Sequence, residues 1–210
     1  DLGFAFDGDA DRVIAVDDCG KIVDGDGILY VIAKHLAEQN SLSGDTVVAT
    51  VMTNSGVEIA LQKLGIKLVR VSVGDHNVCA EMQKNGYTLG GEQSGHIILS
   101  DIGTGDGIYA ALLLSNIVKI SGKLSAIFEV SSFPQILKNV VVATKSIPFA
   151  ALNNAECWRK HLDGSGRVLL RLSGTEPIIR IMVECIDSAF AAFIVRDIEY
   201  SLKKELDNEA

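Results

Sequence analysis

Apolar residues run without a break through positions 2–6, give way to an Asp-rich stretch, and resume over 13–16. That pattern predicts strand, loop, strand. From Asp26 the spacing lengthens to a helical period, with Ile28, Leu29, Ile32 and Leu36 on one face. A β-branched run at 46–51 predicts a strand. An amphipathic helix at 57–64, closed by Gly65, follows it, and then a strand at 66–71. Short strands at 87–89 and 97–99 enclose a Gly-rich turn, and a long helix over about 105–120 closes this half. Strands and helices alternating at this spacing imply an α/β domain with a mixed, mostly parallel sheet.

Residues 121–135 change character, with Ser, Gly and Lys followed by Ser131-Ser132-Phe133-Pro134, and a boundary is placed there. Beyond it the predicted order is strand 136–143, helix 150–161, strand 167–172, strand 178–185 and helix 190–206. Two adjacent strands flanked by helices imply a small α+β domain with an antiparallel sheet.

Charge changes this picture locally. The 210 residues carry 27 Asp+Glu against 19 Lys+Arg, a net −8, which excludes a general binder of nucleic acid or anionic membrane. Eight of the acids, all Asp, lie in residues 1–26 beside two bases, so most of the excess is concentrated there. Cys19, Cys79, Cys157 and Cys185 are scattered without a C-x-x-C pair, which reads as buried free thiols in a reducing cytosol. The most apolar run, 108–118, is too short to span a bilayer, and no signal peptide opens the chain. The chain starts at Asp1 in the middle of a strand pattern, which suggests a piece of a longer protein.

Three loops carry candidate chemistry. In Asp7-Gly8-Asp9-Ala10-Asp11-Arg12, three carboxylates at alternate positions repel one another, and a hard cation such as Mg²⁺ relieves that repulsion. Arg12 offers a bidentate fork for a phosphate beside the same metal. A plain polar turn would need one Asp. An EF-hand is rejected, because Arg12 and Asp18 stand where Gly and Glu belong. A phosphatase of the haloacid-dehalogenase type, with Asp7 as nucleophile, remains a rival. In Gly90-Gly91-Glu92-Gln93-Ser94-Gly95-His96, glycines admit a ligand closely, and Glu92 and Ser94 on an extended segment would grip adjacent sugar hydroxyls. The alternative is a Gly-rich hairpin with a buried Glu. In Arg171-Leu172-Ser173-Gly174-Thr175-Glu176-Pro177, followed by Arg180, hydroxyls, backbone N–H groups and two guanidiniums suit a phosphate. A tight turn with surface arginines is the alternative there.

In that order the motifs DGDADR, GGEQSGH and RLSGTEP with IIRIMVE closely resemble the α-D-phosphohexomutase superfamily. TVMTNSG, IGTGDG and FPQILKNV fit as well, so the resemblance covers essentially the whole chain. GEQSGH together with SGTEP favours the branch acting on glucosamine phosphates over phosphomannomutase and phosphoglucomutase relatives. The resemblance implies that Asp7, Asp9 and Asp11 hold Mg²⁺ and that Arg12 stabilises the transferred phosphoryl group. Glu92 and Ser94 would bind sugar hydroxyls, with His96 nearby. Arg171, Ser173, Gly174, Thr175 and Arg180 would hold the phosphate that is not being transferred. It implies the tail of a second domain at 1–26, a third domain at 27–125 and a fourth at 135–210. It also implies a phosphoserine enzyme, a bisphosphate intermediate and a cytoplasmic role in making UDP-N-acetylglucosamine and cell-wall precursors.

Two departures accompany it. Gly74-Asp75-His76-Asn77-Val78 has His76 where the resemblance leads one to expect Arg, and His76 would be a weaker, titratable substitute; the plain reading is a solvated loop histidine. Leu172 stands where Pro is common. The superfamily's phosphoserine lies in a Ser-His-Asn-Pro context that does not occur in this sequence. The expected partners are therefore a sugar phosphate and the missing N-terminal half of the same enzyme, and the chain alone is expected to be inactive. A non-catalytic sugar-phosphate-binding module is the third rival.

Overall fold

The computed structural model describes residues 1–142, 146–173 and 176–209, with side chains to 205, and divides into units at 1–132 and 133–210. In the first unit, β1 (Gly3–Phe6), β2 (Val13–Val16) and β3 (Ile22–Val23) form an antiparallel sheet in that order. Helix α1 (Gly25–Glu38) follows, its first turn capped by the Asp24 carboxylate, which accepts from Gly27 N at 3.2 Å. Next come β4 (Thr46–Thr50), α2 (Ser55–Lys63), β5 (Lys67–Val71), α3 (Asp75–Asn85), β6 (Leu89–Gly91) and β7 (Ile97–Leu99). The unit ends in α4 (Gly107–Ser121) and the short α5 (Leu124–Ile127). The second sheet runs β5-β4-β6-β7, parallel except for the β6–β7 hairpin.

Strand β4 is buried along its whole length, as expected for a strand covered on both faces. Val47 and Ala49 join the main core, while Val48 packs with Val78, Met82 and Ile98 on the other side. The order 5-4-6 puts a topological switch point between β4 and β6, where the segments leaving the carboxyl ends of both strands flank a crevice.

Several expectations need correction. Helix α1 is not one-faced: residues 25–33 are all buried, and a helix apolar around most of its girth belongs in an interior. Helix α3 is an element that the hydrophobic pattern hides, since Val78 and Met82 are its two buried anchors. Within the stretch 121–135 where the boundary is placed, Leu124, Ile127 and Val130 join the first unit's core. The Asp18 carboxylate accepts from Ser125 N at 3.1 Å and meets Lys123 Nζ at 3.4 Å, and the Ser125 hydrogen bonds hold it down at about 2. The thiols are not uniformly buried either: Cys19 and Cys157 are exposed, Cys79 is half-buried and Cys185 is buried.

The second unit contains β8 (Gln135–Val141), α6 (Phe149–Leu162), β9 (Gly166–Leu172), β10 (Ile178–Cys185) and α7 (Ser188–Glu209). Its sheet is antiparallel, as the sequence implies, and β10 lies in its centre. Ile179, Ile181, Val183 and Cys185 alternate into a core shared with both helices, so Arg180, Met182 and Glu184 take the opposite face. Between the helices, the Asp197 carboxylate accepts from Trp158 Nε1 at 2.8 Å and Asn154 Nδ2 at 2.9 Å.

Candidate functional site

The Asp-rich loop joins β1 to β2. Ala10 takes a left-handed conformation (φ 59°), which costs a non-Gly residue on the order of 1 kcal/mol and lets the loop curl back. Ala10 N donates to Asp7 O at 3.3 Å, and Arg12 N donates to Asp7 Oδ1 at 3.2 Å. The curl brings one carboxylate oxygen from each of Asp7, Asp9 and Asp11 within 4.8 Å of one another. The donor set is all oxygen and largely exposed, so it fits a hard cation such as Mg²⁺. Arg12 Nε lies 3.7 Å from Asp7 and 4.0 Å from Asp11, too long and too wet to neutralise three carboxylates.

The Gly-rich loop lies directly against it. Val13 N donates to Gly95 O at 3.1 Å, and the buried His96 places Nδ1 3.0 Å from Asp11 Oδ2. Gly95 has φ +95°, and a Cβ there would overlap the backbone of Val13. Residues 92–95 form a turn, not the extended segment expected, with Gly95 N donating to Glu92 O at 3.0 Å. The turn nevertheless brings the two polar side chains together: Ser94 Oγ donates to Glu92 Oε2 at 3.4 Å. The other carboxylate oxygen of Glu92 accepts from Gly74 N at 3.0 Å. His76 lies just beyond, in the first turn of α3 and not in a loop; its ring is exposed and 3.7 Å from Asp75.

Sequence reasoning missed the supports. Gly25 N donates to Gln93 O at 3.0 Å, and a side chain at 25 would strike the 92–95 backbone. Gly107 N donates to Ala10 O at 3.0 Å, with Asp106 capping α4 through Tyr109 N at 2.8 Å. Asn54 N, at the cap of α2, donates to the buried Asp26 at 2.8 Å. The N-termini of α1, α2, α3 and α4 thus all abut this pair of loops or each other. Each carries roughly half a positive charge, so their combined field favours an anionic ligand beside the acidic loop. An Asp or Ser followed by Gly at the start of α1, α2 and α4 is the signal that would have found three of them; α3 opens on Gly74-Asp75 without it.

Asp26 is the most perturbed acid in this region. Burial, reinforced by the charge of Asp24, raises its carboxyl to about 7, against the opposing pull of Asn54 N–H, Thr53 and Arg70. Arg70 itself donates to Thr53 O at 2.6 Å and pairs with Glu58 at 2.8 Å, pinning the 51–55 loop.

In the second unit, Arg171 and Arg180 are cross-strand partners on the face away from the helices. Like charges directly opposite are destabilising. Burial, and then the charge of Arg180, lower the Arg171 guanidinium from its ordinary value. Arg180 reaches Glu176 at 3.0 Å, and Ser173 Oγ accepts from Glu176 N at 3.3 Å. Such a pair of cations beside a hydroxyl suits a bound phosphate. Gly174 and Thr175 lie outside the described residues.

Residues 24–132 match the phosphoglucomutase/phosphomannomutase α/β/α domain III, and residues 134–199 match the C-terminal domain of the same family. The chain belongs to the phosphoglucomutase/phosphomannomutase family. Among relatives, it is 51% identical to a phosphoglucosamine mutase of Geobacillus kaustophilus over 93% of this chain and 45% of that protein. It is 50% identical to the phosphoglucosamine mutase of Bacillus subtilis over 88% of this chain and 42% of that protein. The chain therefore spans under half the length of these family relatives. A phosphoglucomutase/phosphomannomutase family protein of Burkholderia thailandensis superposes with a TM-score of 0.78 at 25% identity, covering 97% of this chain and 46% of that one. The N-acetylphosphoglucosamine mutase of Aspergillus fumigatus, solved with GlcNAc-6P and magnesium, shares the fold with a TM-score of 0.81 at 20% identity. That match covers 96% of this chain and 52% of the other. Among the described residues, no helix is long and apolar enough to cross a membrane.

Proposed function

We propose that this chain is the metal- and sugar-phosphate-binding part of a cytoplasmic phosphoglucosamine mutase. That enzyme interconverts glucosamine 6-phosphate and glucosamine 1-phosphate for UDP-N-acetylglucosamine and cell-wall precursor synthesis. The observation that carries the reading is the docking of the Glu92–Ser94 turn onto the Asp7–Asp9–Asp11 loop. A hydroxyl clamp and a cation site side by side are what phosphoryl transfer to a sugar requires. Identity near 50% to proteins named phosphoglucosamine mutase supports the choice of sugar.

On this reading residues 1–26 are the tail of a second domain, 27–125 the third and 135–210 the fourth. Asp7, Asp9 and Asp11 would hold Mg²⁺, which supplies positive charge to a phosphoryl group in transfer. Arg12 faces the same group with its planar fork. Glu92, tethered by Gly74 N–H and paired with Ser94, orients two sugar hydroxyls. Arg171, Arg180 and Ser173, with Gly174 and Thr175, anchor the phosphate at the other end of the sugar. His76, standing in for the basic residue expected there, would aid proton transfer or bind the bridging phosphate. A phosphoserine contributed by the upstream half gives its phosphoryl group to the sugar phosphate; the resulting bisphosphate turns over and returns the opposite phosphoryl group to the serine. One phosphate nest and one hydroxyl clamp accept the sugar in both orientations.

The test is a competition assay on the protein with its upstream half, using glucosamine, glucose and mannose 6-phosphates. A higher kcat/KM for glucosamine 6-phosphate supports the reading. Equal or better use of the neutral sugars overturns the choice of substrate.

A further inference from the structure

We propose that His96 is a positioning residue for the metal loop: its imidazole fixes the Asp11 carboxylate in the orientation a divalent cation requires. The inference rests on the reading of Asp7, Asp9 and Asp11 as ligands, and it gives His96 a task other than touching sugar.

The His96 side chain is 6% exposed, while that of Asp11 is 34% exposed. A carboxylate oxygen can only accept, so the 3.0 Å contact requires the proton on Nδ1 of the imidazole. The ring has little freedom. Gly105 lies flat against it, and a Cβ at that position would overlap the imidazole atoms. The His96 carbonyl accepts from Glu92 N at 3.0 Å, and Gly95 O accepts from Val13 N at 3.1 Å, so the backbone on either side is tied down. A buried, immobilised donor therefore grips a partly exposed carboxylate that would otherwise sample several rotamers. Groups that orient a ligand in this way commonly change metal affinity about 10- to 100-fold when removed. The same bond couples the two loops, because His96 belongs to the segment that carries Glu92 and Ser94.

The experiment titrates the 210-residue chain with Mn²⁺, following free Mn²⁺ by electron paramagnetic resonance, with circular dichroism to verify folding. His96→Leu is expected to weaken Mn²⁺ binding about tenfold or more. His96→Asn, whose amide N–H can take the place of Nδ1–H, is expected to recover most of the affinity. Gly105→Ala keeps the histidine but displaces its ring, so it is expected to weaken binding as His96→Leu does. This variant carries the test if His96→Leu does not fold. Asp9→Asn is the control for the ligand reading. Wild-type binding that is lost in Asp9→Asn but unchanged in folded His96→Leu and Gly105→Ala overturns the positioning role alone. Wild-type binding that Asp9→Asn leaves intact, or no saturable binding, overturns the ligand reading and the positioning role with it. A His96→Leu chain that binds Mn²⁺ normally but loses glucosamine 6-phosphate would make His96 a sugar ligand and also overturn the proposal.

Discussion

Asp26→Asn tests how the first unit tolerates a buried acid at the edge of its site. Asp26 is 2% exposed, and its carboxyl is raised from 3.8 to about 7, chiefly by burial. An acid whose folded value is raised makes the folded state hold a proton that the unfolded state has released. Between about pH 4 and 7 the native chain binds one more proton, so stability falls as pH rises through that window and levels off above it. The slope is about 1.4 kcal/mol per pH unit, which over roughly three units gives an upper limit of about 4 kcal/mol. Asparagine keeps an acceptor for Asn54 N–H and removes the charge that Asp24 opposes and Arg70 attracts. The variant should match the wild type near pH 4 and exceed it progressively up to pH 7.

The assay is urea unfolding at several pH values, followed by far-UV circular dichroism. The single tryptophan, Trp158, lies in α6, so its fluorescence reports the second unit and should not differ between the two proteins. A stability difference that stays flat from pH 4 to 8, or that shrinks as pH rises, would refute the reasoning.

Other outcomes follow from the same geometry. Gly95→Ala puts a Cβ into the Val13 backbone at φ +95° and should destabilise the first unit by about 1–3 kcal/mol, measured by chemical unfolding; an unchanged midpoint would contradict the docking of the two loops. Glu92→Gln should lower affinity for glucosamine 6-phosphate in calorimetry while leaving Mn²⁺ affinity unchanged; an unaltered sugar affinity would remove Glu92 from the clamp. Arg171→Met retains the apolar stem and relieves repulsion from Arg180, so the second unit should gain about 0.2–1 kcal/mol by Trp158 fluorescence while phosphate binding weakens. A loss of stability there would assign Arg171 a structural role.

Much of the fold was legible because its signals are local. Residues 46–50 form a β-branched run that reads as a buried strand, and the long apolar stretch of Ile178–Cys185 sends every second residue into the core shared with the helices. Helix α3 was not legible, since two anchors, Val78 and Met82, four residues apart, leave most of its surface polar. The burial of α1 on all sides depends on which elements surround it, which no periodicity in its own residues records. The acidic loop stood out as a candidate cation site because three like charges crowd one turn. What the sequence could not convey was contact between loops distant in the chain: His96 with Asp11, Glu92 with Gly74, Gly107 with Ala10. Net charge alone was also a poor guide, because four helix N-termini counter the local excess of Asp without appearing in any count of side chains.

The central claim is that these loops serve phosphoryl transfer within one sugar. It is tested most directly by ³¹P NMR of this chain joined to the proposed phosphoserine-bearing upstream half, supplied with Mg²⁺ and glucosamine 6-phosphate. The account predicts that the 6-phosphate signal gives way to 1-phosphate with little inorganic phosphate, that the conversion depends on Asp9, and that the 210-residue chain alone does not perform it. Release of inorganic phosphate in place of the 1-phosphate, or full conversion by the 210-residue chain alone, would contradict it.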